Sequence, residues 1–196
     1  MEQLINESAF SRFLQIHAKE GFAIVSACRG ENDKVKNNQR SNELKTLINQ
    51  AGFVFKRIQG GFIENLGEKD QTEVNETSFI IYNVKKGGVA PKANELFKFA
   101  MKMCRKYGQD SILYAEKGDK PRYYTKQGQV DSTFSNKFIL NDKSQMYFSE
   151  FGTNKRFTLD WTPNDENTNT MKKKAKKATY GSVTTEETVT ESYFNY

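Results

Sequence analysis

Ser26, Arg29, Glu31, Asn37, Asn38 and Arg40 are the residues of this chain whose types and spacing most suggest chemistry. They straddle the end of an apolar run, Phe22 to Ala27, and the start of a helical stripe, where ligands gather in open α/β layers. Arg29 and Arg40 offer guanidinium forks to a phosphate or a carboxylate. On the helix, Arg40 and Ser41 share an angular sector with Leu44 and Ile48, near an N-terminal end that carries free N–H groups. Two carboxylates complete the set, Glu64 after the pair Gly60-Gly61, and Glu76 on the same strand face as Ser78. As a facing pair they would bind a divalent cation or serve as acid and base. As partners of Arg29 and Arg40 they would instead pin the chain between them in an ion-pair network. The only histidine, His17, lies on the apolar stripe of a helix and reads as packing rather than acid–base chemistry. No Walker A, Gly-x-Gly-x-x-Gly or His-Glu-x-x-His pattern occurs, and Gly87-Gly88, like Gly60-Gly61, reads as a turn or bulge.

The elements that must position these residues follow from periodicity. Residues 3 to 19 predict a first helix, with Phe10, Phe13, Leu14 and His17 on one stripe and Gly21 at its C-terminal stop. Phe22 to Ala27 predicts a buried strand, and 37 to 50 a helix with Leu44, Leu47, Ile48 and Ala51 inward. Phe53 to Ile58 alternates as a strand that Gly60-Gly61 breaks, and the charged stretch from Glu64 to Glu76 predicts a long loop before a strand over 77 to 83. A third helix spans 93 to 107, with Phe97, Ala100, Met101 and Cys104 on its core face. Strands at 111 to 116 and 122 to 126 follow, and three more at 138 to 140, 146 to 151 and 156 to 161, the last two joined by a turn at Gly152-Thr153-Asn154. Strand, helix, strand, strand, helix, strand is the order of an α+β, ferredoxin-like split βαβ core. Here it carries an N-terminal helix, extra C-terminal antiparallel strands and a flexible tail. The expected division is a single α+β domain over 1–162 and a polar, basic tail over 163–196.

Composition frames this reading. The chain has 196 residues, with 36% apolar residues, 28% charged residues, 15 Phe and 9 Tyr, and a mean hydropathy of −0.78, so the core must draw on aromatics. Two cysteines and no Cys/His spacing argue against a disulfide scaffold or a zinc site. No metal or cofactor is implied. Without a secretory signal pattern or an apolar run of spanning length, a cytoplasmic location and no membrane association are expected. The formal net charge of +6 is uneven. Lys98, Lys102, Arg105 and Lys106 lie on the outward face of the third helix, and Lys172, Lys173, Lys174, Lys176 and Lys177 form a block in the tail. Both suit nucleic-acid phosphates, or simply a solvated surface.

The run Ser26-Ala-Cys-Arg-Gly-Glu31, with Asn38, Arg40, Leu44, Gly52-Phe53, Gly60-Gly-Phe-Ile-Glu64, Glu76, Ser78-Phe79 and Tyr107-Gly-Gln-Asp-Ser-Ile112, resembles the phage and bacterial family known as domain of unknown function 3293. The resemblance covers about residues 22 to 118. It implies a phage-associated protein of unassigned activity in which Arg40, Glu76, Ser78 and Gln109 share a pocket or polar network. The candidate ligand site is therefore Ser26, Arg29, Asn38, Arg40, Glu64, Glu76, Ser78 and Gln109. The reading favoured by the residues is a phage-type accessory protein that binds a host or phage protein, or nucleic acid, through its basic face and tail. The alternative is an enzyme on a phosphate-bearing substrate, a nucleotide or nucleic acid, with arginines holding the anion and a glutamate as base.

Overall fold

The computed structural model describes residues 12–64, 69, 71–135, 138–140, 147–150 and 156–159. Helix α1 occupies 12–20 within these residues, and the rest of the predicted first helix lies outside them. The chain then runs through β1 (Phe22–Ser26), α2 (Lys34–Gln50), β2 (Phe53–Glu64), β3 (Thr72–Lys85), α3 (Glu95–Lys106) and β4 (Ser111–Ala115). Five short strands follow: β5 (Arg122–Thr125), β6 (Val130–Thr133), β7 (Phe138–Leu140), β8 (Tyr147–Glu150) and β9 (Arg156–Leu159). The fold is α+β. Among the described residues, all nine strands join one sheet in the order β6-β5-β4-β1-β3-β2-β8-β9-β7, and every pairing is antiparallel.

The sheet has a core on each face. Leu44 and Ile48 of α2 and Leu96, Ala100 and Cys104 of α3 cover Ala23, Val25, Phe79 and Ile81. The opposite face presents Phe22, Ile58, Ile80 and Tyr82 to Phe13 of α1, and Phe157 of β9 joins them because the sheet curls. Each fully buried Phe or Ile of these layers contributes roughly 1.5–3 kcal/mol, so the odd and even positions of β3 hold the two layers together. Gly21 ends α1 at φ 83, and a side chain there would strike the Ala115 carbonyl oxygen at 2.5 Å. His17 packs against the rings of Phe13, Phe22 and Phe138.

Four expectations change. Helix α2 begins at Lys34 rather than 37, because Asp33 caps it by accepting from the Lys36 N–H at 2.7 Å. Strand β2 does not break at Gly60-Gly61 but continues to Glu64, held between β3 and β8. Of the predicted loop, Glu64 belongs to β2 and Thr72 to Glu76 to β3, paired with the far half of β2. Strand β6 was not expected, since Val130-Asp-Ser-Thr133 has little apolar pattern. The turn at 152–154 and the tail from 163 lie outside the described residues. Among the described residues no helix is long and apolar enough to cross a membrane.

Candidate functional site

Two antiparallel registers bring distant residues together. Ser26 of β1 stands opposite Ser78 of β3, and Gly60 of β2 stands opposite Glu76 of β3 and Ser149 of β8. Opposed residues share a sheet face, and so do alternate residues of one strand. Ser26, Gly60, Glu76, Ser78 and Ser149 thus form a polar patch that continues the face of Ile24, Ile58 and Ile80. Strand β1 ends at Ser26 while the β2–β3 hairpin runs on, which places Glu76 just beyond the end of β1.

The carboxyl group of Glu76 is the chemical centre of this patch. The residue as a whole is half-buried, but its carboxyl end is withdrawn from water, and burial raises its pKa from 4.5 to about 7. Hydrogen bonds from Ser26 and Ser78 oppose that rise, and no charged side chain figures among its causes. The Ser26 hydroxyl also donates to the Thr77 carbonyl at 3.0 Å and accepts the Cys28 N–H at 3.1 Å. Its single proton can serve Thr77 or an ionised Glu76, one at a time. The Cys28 thiol lies 3.6 Å from the Ser41 hydroxyl and 3.7 Å from the Thr77 carbonyl oxygen.

Arg29, Arg40 and Gln109 do not converge on that carboxyl. Arg40 donates from Nε to the Ala27 carbonyl and from a terminal nitrogen to the Tyr107 carbonyl, both at 2.6 Å, with its guanidinium 5.3 Å above the Tyr107 ring. Gln109 donates to the Cys28 carbonyl at 2.6 Å. Arg29 donates to the Gly108 carbonyl and pairs with Glu31 at 2.8 Å, while Asn37 bonds both the N–H and the carbonyl of Arg29. Together these groups lash the β1–α2 loop to the end of α3, using backbone carbonyls as partners. Asn38 is exposed one helical step away from Asn37. Glu64 pairs with Thr72 four positions along β2 from Gly60, which stands opposite Glu76, so the register sets the backbones of Glu64 and Glu76 about 13 Å apart along the strand.

Among the basic residues, Lys98 and Lys102 are exposed on α3, Lys106 pairs with Glu43 at 3.0 Å, and Arg105 donates to the Lys126 carbonyl. Lys172, Lys173, Lys174, Lys176 and Lys177 lie outside the described residues. Residues that sequence reasoning did not place in the site are Gly60, read there as a strand break, turn or bulge, and Ser149. Their signal is the register of β2 with both its neighbours, which no local spacing encodes.

Residues 23–160 match the model of a protein family described as the S-Adenosylmethionine lyase family. No curated protein matches the chain. The family match overturns the resemblance to domain of unknown function 3293 and the reading as a phage protein of unassigned activity. The quoted runs included Gly52 and Gly108, which sit at positive φ where α2 and α3 end. Their order reports helix punctuation that many α+β chains need.

Proposed function

The chain belongs to the S-adenosylmethionine lyase family, and on that footing we propose that it cleaves a carbon–sulfur bond of S-adenosylmethionine without adding water, with Glu76 as the carboxylate that meets the substrate's positive charge. The observation that carries this reading is a water-withdrawn carboxyl group, held by two serine hydroxyls with no cation among its described neighbours. Such a group suits a cationic ligand, because an arriving sulfonium or ammonium favours the ionised form that burial disfavours.

The chemistry asks little of an acid catalyst. A sulfonium leaves as a neutral thioether with the electron pair of the broken bond, so its departure needs no proton. Cleavage toward the amino-acid chain can be balanced from inside the substrate: its own carboxylate closes on the carbon as the electron pair of the carbon–sulfur bond leaves on sulfur, with no proton to place. 5′-Methylthioadenosine departs. What the protein supplies is orientation, exclusion of water and a fixed counter-charge. Ionised Glu76 accepts from Ser78 and from Ser26, whose hydroxyl turns from the Thr77 carbonyl. The braces of Arg40 and Gln109 keep the β1–α2 loop at the edge of this patch. The core that presents it reads as a ferredoxin-like split βαβ, a reading supported by the strand order β4-β1-β3-β2 and by α2 and α3 covering one face.

Incubation with S-adenosylmethionine in ¹⁸O-water tests the reaction class. The expected products are 5′-methylthioadenosine and an amino-acid fragment carrying no solvent oxygen on the carbon that lost sulfur. Label on that carbon would make the enzyme a hydrolase, and absence of turnover would remove the reading.

A further inference from the structure

Gly60 lies inside a strand, not in a turn, and its φ is not in the left-handed region that favours glycine. Backbone freedom therefore does not explain it, and glycine in a strand interior is unfavourable unless another group needs the space. That group is visible. A Cβ built on Gly60 would stand 2.7 Å from the Ser78 hydroxyl oxygen, 3.3 Å from the Ser78 Cβ and 3.9 Å from the Glu76 Cγ. The first distance is one that a real side chain does not tolerate, so any larger residue must push the hydroxyl aside.

We propose that Gly60 is a positioning residue of the site: its missing side chain is the space in which the Ser78 hydroxyl lies against the Glu76 carboxyl. It acts through Ser78 and touches no substrate itself. Both hydroxyls hold the Glu76 pKa down, Ser26 first and Ser78 after it; the Ser26 hydroxyl also serves the Thr77 carbonyl, whereas the Ser78 hydroxyl is the one that the space at Gly60 admits. The described groups facing Glu76 are Ser26 from β1, Gly60 from β2 and Ser78 from its own strand, with Ser149 of β8 across the register from Gly60. None of these described groups is charged. A donor to the ionised form keeps a carboxyl pKa down, and its removal lets burial push the pKa further up.

The functional meaning of this role rests on the lyase reading, but its test does not. The Glu76 carboxyl carbon is titrated by NMR in ¹³C-glutamate-labelled protein without substrate, in the wild type, Gly60→Ala, Ser78→Ala and the double variant. Gly60→Ala and Ser78→Ala should each raise the midpoint, by about one pH unit. The double variant should titrate like Ser78→Ala alone, because without the hydroxyl the added methyl meets only the Cβ of residue 78 at 3.3 Å and the Glu76 Cγ at 3.9 Å, contacts that a shift of a few tenths of an ångström accommodates. An unchanged midpoint in Gly60→Ala, or an equal further rise on top of Ser78→Ala, would overturn the proposal. If Gly60→Ala alone does not fold, equality between Ser78→Ala and the double variant decides, and inequality overturns. Turnover of S-adenosylmethionine, measured separately, should fall at least tenfold in Gly60→Ala. Absent turnover in the wild type would sink the lyase reading while leaving the titration result standing.

Discussion

Replacing Glu76 with glutamine should make the protein more stable at neutral to alkaline pH. Burial raises the carboxyl pKa from 4.5 to about 7 in the folded chain. The folded state therefore binds this proton more tightly than the unfolded one. Such a group contributes its stability below the unfolded value, and that contribution is lost as pH rises through the folded value. The gap between 4.5 and about 7, at 1.36 kcal/mol per pH unit, corresponds to about 3 kcal/mol. Partial exposure of the residue brings the expectation nearer to about 2 kcal/mol. Glutamine keeps the shape and hydrogen-bonding capacity of the neutral acid but cannot ionise. Thermal unfolding of both proteins should give midpoints that agree near about pH 4 and diverge by about 4–8 °C near about pH 8, the variant being higher. Equal midpoints at both pH values would refute the reasoning, since Glu76 would then ionise at no cost. A gain present at every pH would refute it too, because the effect would owe nothing to ionisation. The expected outcome is that of a site residue kept for its chemistry at some expense of stability.

Arg40→Ala should cost about 2–3 kcal/mol in urea unfolding, because the Ala27 and Tyr107 carbonyls lose charge-assisted donors. A loss below about 0.5 kcal/mol would mean that water replaces the brace freely. Arg156 of β9 pairs with Glu73 at 2.8 Å and Glu150 at 3.0 Å, tying the last strands to the β2–β3 hairpin. Its partners are partly exposed, so Arg156→Ala should cost only about 1–2 kcal/mol, seen as faster amide exchange in β8 and β9. Unchanged exchange there would show that the hairpin holds without the clip.

The order from β1 to β4 was legible because each element carries its own period: Phe22 to Ser26 as a buried run, Leu44 and Ile48 as a helical stripe, Phe79 and Ile81 alternating with Ile80 and Tyr82. What failed was reading polarity as disorder. Gly60-Gly61 looked like a break, but pairing on both sides supplies the backbone hydrogen bonds that hold the strand. Thr72 to Glu76 looked like loop because its partner, the far half of β2, had been ended too soon. The site was legible in its members but not in its grouping. Ser26, Glu76 and Ser78 stood among the candidates, yet what joins them is a register between strands some fifty residues apart. Arg29 and Arg40 looked like anion ligands because a sequence displays charged side chains and hides the backbone carbonyls that those charges satisfy.

The pH dependence of kcat/KM for S-adenosylmethionine cleavage, measured for the wild type and Glu76→Gln, tests the central claim most directly. The wild type should lose activity on the acid side with a midpoint near the Glu76 pKa of about 7, and the variant should be slower by about a hundredfold with that limb gone. Wild-type activity in Glu76→Gln, or an acid limb that survives the substitution, would contradict it.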